Sequence, residues 1–212
     1  MGREYLIPLT EIRREHVVVN SRFIATLAPV FSAEEARAFI ARIKKEFTDA
    51  THNVPAYIIG GGNTVMEFCS DDGEPSGTSG RPALAVLRGS ELGDVAVVIT
   101  RYFGGTKLGT GGLVKAYTES TQLVVNGVKR GRRVPVQVVM VAIPYNLLER
   151  VRFVVGKNSG EVLGEDFTED VTMTLQFPDE SFDGFQSELQ ELSAGKLNAE
   201  VIETKEAIVT VA

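Results

Sequence analysis

The chain has a single cysteine, Cys69, so no disulfide can form within it. No apolar run approaches the roughly 20 residues that a membrane helix needs. The first ten residues, MGREYLIPLT, lack the apolar core of a signal peptide. Gly2 follows Met1, but Leu6 stands where the myristoylation pattern needs Ser or Thr. These absences lead to the expectation of a cytoplasmic protein with no membrane attachment. Internal repeats and low-complexity segments are missing as well. What is present is ordinary for a globular chain. The 212 residues are 43% hydrophobic and 24% charged, enough for one large domain or two small ones with a real core.

Charge is unevenly spread. Residues 1–131 hold 15 Lys and Arg against 14 Asp and Glu, while residues 132–212 hold 7 against 14. The first part is therefore near neutral and the second strongly acidic. A surface that meets phosphate is expected in the first part, because the second would repel it unless its charges face elsewhere.

Patterning divides the chain at about the same place, into 1–131 and 132–212. HVVVNSRFIATLAPV (residues 16–30) is rich in β-branched residues and reads as a strand. Ser32 with Glu35 reads as a capping box, ahead of Ala36, Phe39, Ile40, Ile43 and Phe47 at helical spacing. AYIIGG and TVMEFCS read as short strands with GGN as hairpin chemistry between them. DDGEPSGTSGRP is a breaker-rich loop, PALAVLRG a short helix with Pro82 in its first turn, and DVAVVITRYF a buried strand. GGLVKAYTESTQLVVNG reads as a helix with Leu113, Ala116, Tyr117, Ser120 and Val124 on one side, ended by Gly127. KRGRR (residues 129–133) then reads as a linker. Beyond it come a strand in VPVQVVMVAIPY, a helix capped by Asn146, two strands in GEVLGEDF and DVTMTLQF, a helix with Phe182, Phe185, Leu189 and Leu192 inward and Gly195 as its stop, and a last strand in EAIVTV. That order, β-α-β-β-α-β, is the ferredoxin-like split βαβ.

Five places invite a chemical reading. RYFGGTKLGTGGLVKAY (residues 101–117) puts a glycine-rich turn between a strand and a helix. Free N–H groups and the helix dipole there attract anions, and Arg101 and Lys107 add charge. It is neither a Walker A loop, since no Gly-Lys-Ser/Thr ends it, nor a dinucleotide fingerprint. The plain alternative is a turn that needs positive φ at several glycines, in which case alanine at Gly111 or Gly112 would be costly. In SDDGEPSG, Asp71, Asp72 and Glu74 suit a hard cation, a basic side chain to be oriented, or simply a solvated Asp-Gly turn; the spacing is not that of an EF-hand. His52 suits a general base, an RNA contact or a turn residue. Cys69 reads as a small buried residue; a nucleophile pair with His52 has no local signature. KRGRR suits phosphate contact or a solvated linker. His16 starts a strand with no evident partner.

The blocks SRFIA, ATHNVPAY, SDDGEPSGTSGRP and VVITRYFGGTKLGTGGLVKAY, in order between Ser21 and Tyr117, strongly resemble the YigZ/IMPACT family on its bacterial side. The second half resembles the C-terminal domain of bacterial members through its pattern. The resemblance implies an α+β fold in two domains: an N-terminal domain of the ribosomal-protein domain-two-like superfamily and a ferredoxin-like C-terminal domain. That pairing is similar to domains IV and V of elongation factor G, which meet ribosomal RNA. The superfamily also includes small-molecule kinases whose glycine-rich loop binds ATP phosphates. Eukaryotic IMPACT proteins are similar to regulators of translation initiation that act through an extra N-terminal domain; no such domain is expected here, so their partner is not carried over. The matching positions His52, Asp71, Asp72, Glu74, Arg81, Arg101, Gly104, Gly105, Lys107, Gly109, Gly111 and Gly112 form the expected site.

Two functions follow as expectations. One is a translation-associated binding protein that contacts RNA or a ribosome-associated partner, with no cofactor and no bound metal. The other is an enzyme acting on a phosphorylated small molecule, with the loop as phosphate cradle, a metal on the carboxylates and His52 as base. A concave site holding all these groups would favour the enzyme; an open basic face would favour RNA. Oligomeric state is left open.

Overall fold

The structure, a computed structural model, describes residues 5–61 and 64–211. The chain forms two compact units, Met1–Arg132 with Thr210–Ala212, and Arg133–Val209. In the first lie β1 (Ile7–Pro8), β2 (Ile12–Val18), β3 (Ser21–Pro29), α1 (Ala33–Glu46), β4 (His52–Gly61), β5 (Thr64–Cys69), α2 (Gly80–Gly89), β6 (Val95–Tyr102) and α3 (Gly109–Gly127). Five of the strands make an antiparallel sheet in the order β2-β3-β6-β4-β5.

The central strand β6 is buried on both faces, in keeping with the continuously apolar run VAVVI. Val95, Val97 and Ile99 face α2 and α3 together with Phe23, Ala25 and Leu27. Ala96 and Val98 face α1 with Ala28 and Tyr57. Side chains alternate across a strand, so a residue's place in β6 decides which helices it meets. The N-terminus of α1 is capped as expected: Ser32 Oγ accepts the Glu35 N–H at 3.1 Å, and Glu35 Oε2 accepts the Phe31 N–H at 2.8 Å.

The run 16–30 is two strands rather than one. Val18 lies opposite Ser21, leaving Val19 and Asn20 as a two-residue turn with φ of 45° and 66°. Positive φ at both central residues is the type I′ hairpin signature. Asn tolerates it, but a β-branched Val there is unusual and hid the turn. Of the expected GGN turn, Gly62 and Asn63 lie outside the described residues.

The remaining elements are β7 (Arg130–Ile143), a 3₁₀ turn at Tyr145–Leu147, α4 (Leu148–Lys157), β8 (Glu161–Phe167), β9 (Val171–Pro178), α5 (Asp179–Leu192) and β10 (Glu200–Thr210); all but the first three residues of β7 and the last of β10 lie in the second unit. Its strands lie in the order β8-β9-β7-β10, the ferredoxin-like arrangement. Val171, Met173, Leu175 and Phe177 are buried and alternate with half-buried residues, and they pack with α4 and α5 around one core. Two expectations fail locally. KRGRR is not a linker, because β7 begins at Arg130 and its first residues pair with β1, Gly131 opposite Ile7. Asn146 does not cap α4; it sits inside the 3₁₀ turn, and α4 starts without a side-chain cap. Among the described residues, no helix is long and apolar enough to cross a membrane.

Candidate functional site

The site is built at one end of the first unit's sheet. Strand register sets Arg101 of β6 between Phe23 of β3 and His52 of β4. Arg101 follows Val95, Val97 and Ile99 on the face that α2 and α3 cover, so its guanidinium enters an otherwise apolar layer. A buried charge needs a partner. Glu74, from the loop between β5 and α2, supplies it: Arg101 Nη1 donates to Glu74 Oε1 at 2.6 Å. Tyr117 of α3 donates its hydroxyl to the same oxygen at 2.8 Å. Burial, reinforced by the Glu74 charge, holds the Tyr117 hydroxyl far above its ordinary range. Arg101 Nε is buried without a hydrogen-bond partner, and Nη2 reaches Ser21 Oγ at 3.4 Å.

His52 joins this cluster from the side. Its Nδ1 lies 2.8 Å from the Asp72 carbonyl oxygen, which only accepts, so Nδ1 carries the proton. Its Nε2 faces Glu74 Oε2 at 3.9 Å. Asp72 accepts from Lys44 Nζ at 2.5 Å and from the Asn53 N–H at 2.7 Å. Asp71 takes the Gly77 N–H at 2.8 Å on one oxygen, and on the other the Gly80 N–H at 2.9 Å and the Ser79 hydroxyl at 2.8 Å. It thereby caps the start of α2 from nine residues upstream. Burial opposes ionisation of Asp71, but the bonds from Gly77, Gly80 and Ser79 outweigh it and hold the carboxyl below its ordinary value.

The three carboxylates thus serve three separate partners and do not converge. Among the described residues, no group of His, Cys, Asp and Glu is placed to hold a metal ion. Arg101, read from sequence as a surface cation, is 5% exposed and committed to Glu74. Burial, with the Asp71 charge second, pushes the Cys69 thiol up, which disfavours a thiolate. His16 lies inside β2, with Nε2 at 3.3 Å from Glu119 Oε2 but without a hydrogen bond to it.

The glycine stretch lies directly beyond Arg101. The Phe103 N–H donates to Thr51 Oγ1 at 3.0 Å and the Gly104 N–H to Ser21 Oγ at 3.2 Å. A Cβ on Gly104 would meet the Asn20 carbonyl at 2.1 Å. Gly105 and Gly109 hold φ of 85° and 70°. The helix then begins with no side-chain cap, and the amide donors of a helix's first turn have no intrahelical partner. Lys107 is exposed beside it. Gly111 and Gly112 are helical with no positive φ; Gly111 is exposed, and a Cβ there would meet nothing within 4 Å.

His52, the 71–74 loop, Arg101 and the root of the glycine stretch are therefore brought together. Arg81 is set apart: it lies exposed on α2 and, with Gly77, lines an open cavity of about 880 Å³ between α2 and α3. That cavity does not take in His52, Asp71, Asp72, Glu74 or the glycine stretch. The sequence reading missed Tyr117, Ser21 and Thr51. Tyr117 was taken for plain core; the signal available was a hydroxyl on an apolar helix face, which needs a partner when buried.

An antiparallel sheet covered by helices, joined to a ferredoxin-like unit and carrying a helix N-terminus above a buried ion pair, defines a two-domain α+β protein. At the glycine stretch the exposed surface is glycine backbone with Lys107 beside it. Residues 19–125 match the Impact N-terminal domain, and residues 141–196 match a domain of unknown function, DUF1949. The chain belongs to the IMPACT family. It is 36% identical over 204 residues to an IMPACT family member of Haemophilus influenzae, covering 96% of this chain and 99% of that one. It is 33% identical over 200 residues to the family member YigZ of Escherichia coli, covering 94% and 98%. A crystal structure described as that of a hypothetical protein superposes with a TM-score of 0.62 at 33% identity, over 96% of this chain and 98% of that one.

Proposed function

We propose that the chain is a cytoplasmic, translation-associated binding protein that contacts RNA through the glycine-rich surface at the start of α3. Gly111 carries this reading. Glycine in a helix is unfavourable by about 1 kcal/mol relative to alanine, and here neither φ nor space calls for it. A bare backbone at an exposed, uncapped helix N-terminus suits an anion that must come close to the amides. Lys107 adds a positive charge at the same edge. The family resemblance to a factor whose matching domains meet ribosomal RNA gives the association with translation.

The enzyme reading draws less support. It asks for a cavity around the loop, a carboxylate cage and a free base. The carboxylates are bound to Arg101, Lys44 and the α2 N-terminus. The cavity between α2 and α3 lies away from His52 and the loop.

Gly111→Leu tests the proposal. Thermal unfolding should hold or rise, while affinity for single-stranded RNA falls. Unchanged affinity with an intact fold would contradict it.

A further inference from the structure

Two aromatic rings approach the Arg101 guanidinium in the first unit. The Arg101 guanidinium lies over the buried Phe23 ring, its carbon 5.4 Å from the ring centroid, and also over the Phe103 ring, at 5.5 Å. Phe23 is fully buried; Phe103 is 45% exposed. The cation is held from the side by Glu74 at 2.6 Å. The same cation therefore lies near one buried ring and one ring that meets solvent.

Phe103 is also rigidly mounted. Its N–H is fixed by Thr51 Oγ1 and that of the next residue by Ser21 Oγ. Gly104 packs against the Asn20 backbone with no room for a side chain. An exposed aromatic on a fixed backbone loses little freedom when it binds a flat ligand. Single exposed apolar residues are common and need no special account. This one differs because two side-chain-to-backbone bonds tie the backbone that carries it, and the cation beside its ring is itself fixed by a buried ion pair.

The geometry points to Phe103 as a stacking platform for one base of single-stranded RNA, whose backbone lies along Lys107 and the first turn of α3. This rests on the RNA reading above and adds to it the nucleic-acid form and the residue that receives a base. Every base has a π face, so stacking here is tolerant of sequence. The guanidinium on the ring withdraws electron density from it, which favours an electron-rich partner such as a purine on the open side. Stacking is not ionic. It contributes affinity without releasing counterions, whereas Lys107 contributes through them.

The test is fluorescence anisotropy of fluorescein-labelled ten-nucleotide oligoadenylate and oligouridylate RNA, titrated with the full chain at several salt concentrations. The proteins are the parent, Phe103→Leu, Phe103→Tyr and Lys107→Ala. The expected result is an affinity for Phe103→Leu about tenfold below the parent. Its salt slope should be unchanged, with Phe103→Tyr close to the parent and oligoadenylate bound more tightly than oligouridylate. Binding of Phe103→Leu equal to the parent, while Lys107→Ala is weakened, would overturn the platform and leave the RNA surface standing. A flattened salt slope in Phe103→Leu would also overturn it, because the residue would then act by positioning cations. No binding of either RNA by the parent at low salt would remove the RNA reading itself, and the platform with it.

Discussion

Arg101 and Glu74 meet at 2.6 Å with 6% and 3% of their side chains exposed. This pair joins the end of β6 to the loop before α2, and Tyr117 ties α3 to it through the same carboxylate oxygen. Removing one partner of such a pair leaves an uncompensated charge, at a cost of about 3–5 kcal/mol, whereas replacing both by apolar groups is often nearly neutral. Glu74→Leu alone should therefore be strongly destabilising in urea unfolding at neutral pH. Adding Arg101→Met should recover much of the loss. A double variant as unstable as the sum of the two singles would show that the pair does not act as a unit.

Asp71 predicts a pH signature. Its folded carboxyl lies below the ordinary value of 3.8, so the unfolded chain takes up its proton more readily. The stabilisation it provides is fully present above that ordinary value and is lost as pH falls through the lower, folded one. Asp71→Ala should lower stability by about 0.5–2 kcal/mol at pH 7, the usual worth of a helix cap. The gap between parent and variant should stay level down to about pH 5 and close at more acid pH. Unfolding curves measured from pH 7 to pH 3 check this, and a gap independent of pH would contradict it.

The glycines should not respond alike. Gly104→Ala drives a methyl group into the Asn20 carbonyl and should destabilise by more than about 2 kcal/mol. Gly111→Ala has open space and helical φ, and should be neutral or stabilising by up to about 1 kcal/mol. Thermal melts of the two variants give the comparison. This reverses the expectation from sequence that Gly111 is held by positive φ; Gly105 and Gly109 have that role.

The sequence made the element order of both units readable, because periodicity reports burial directly. Val171 to Phe177 alternate, and Leu113, Ala116, Tyr117, Ser120 and Val124 share a buried helix face. The turn at Val19–Asn20 was not readable, since its first residue is a strand former held in a turn conformation. The grouping of His52, the 71–74 loop and Arg101 was legible as polar blocks that resemble those of a known family. Their roles were not, because a charge that looks exposed in a motif can be turned inward by its place on a strand. Arg101 follows Ile99 by two residues and so shares its buried face, and that parity becomes decisive only once the register of β6 is known. Asp71 looked like a turn acid because its partners, the Gly77 and Gly80 amides and the Ser79 hydroxyl, carry no sequence signal of their own.

The most direct measurement is the salt dependence of single-stranded RNA affinity for the full chain and for Lys107→Ala and Lys129→Ala. If the glycine surface binds phosphate, affinity falls as salt rises, and Lys107→Ala flattens the slope by about 0.7, the worth of one phosphate contact on a single strand. Lys129→Ala, at the far end of α3 from the glycine turn, leaves the slope as it was. RNA binding that is absent or indifferent to salt, or a Lys107→Ala slope equal to the parent's, would contradict the account.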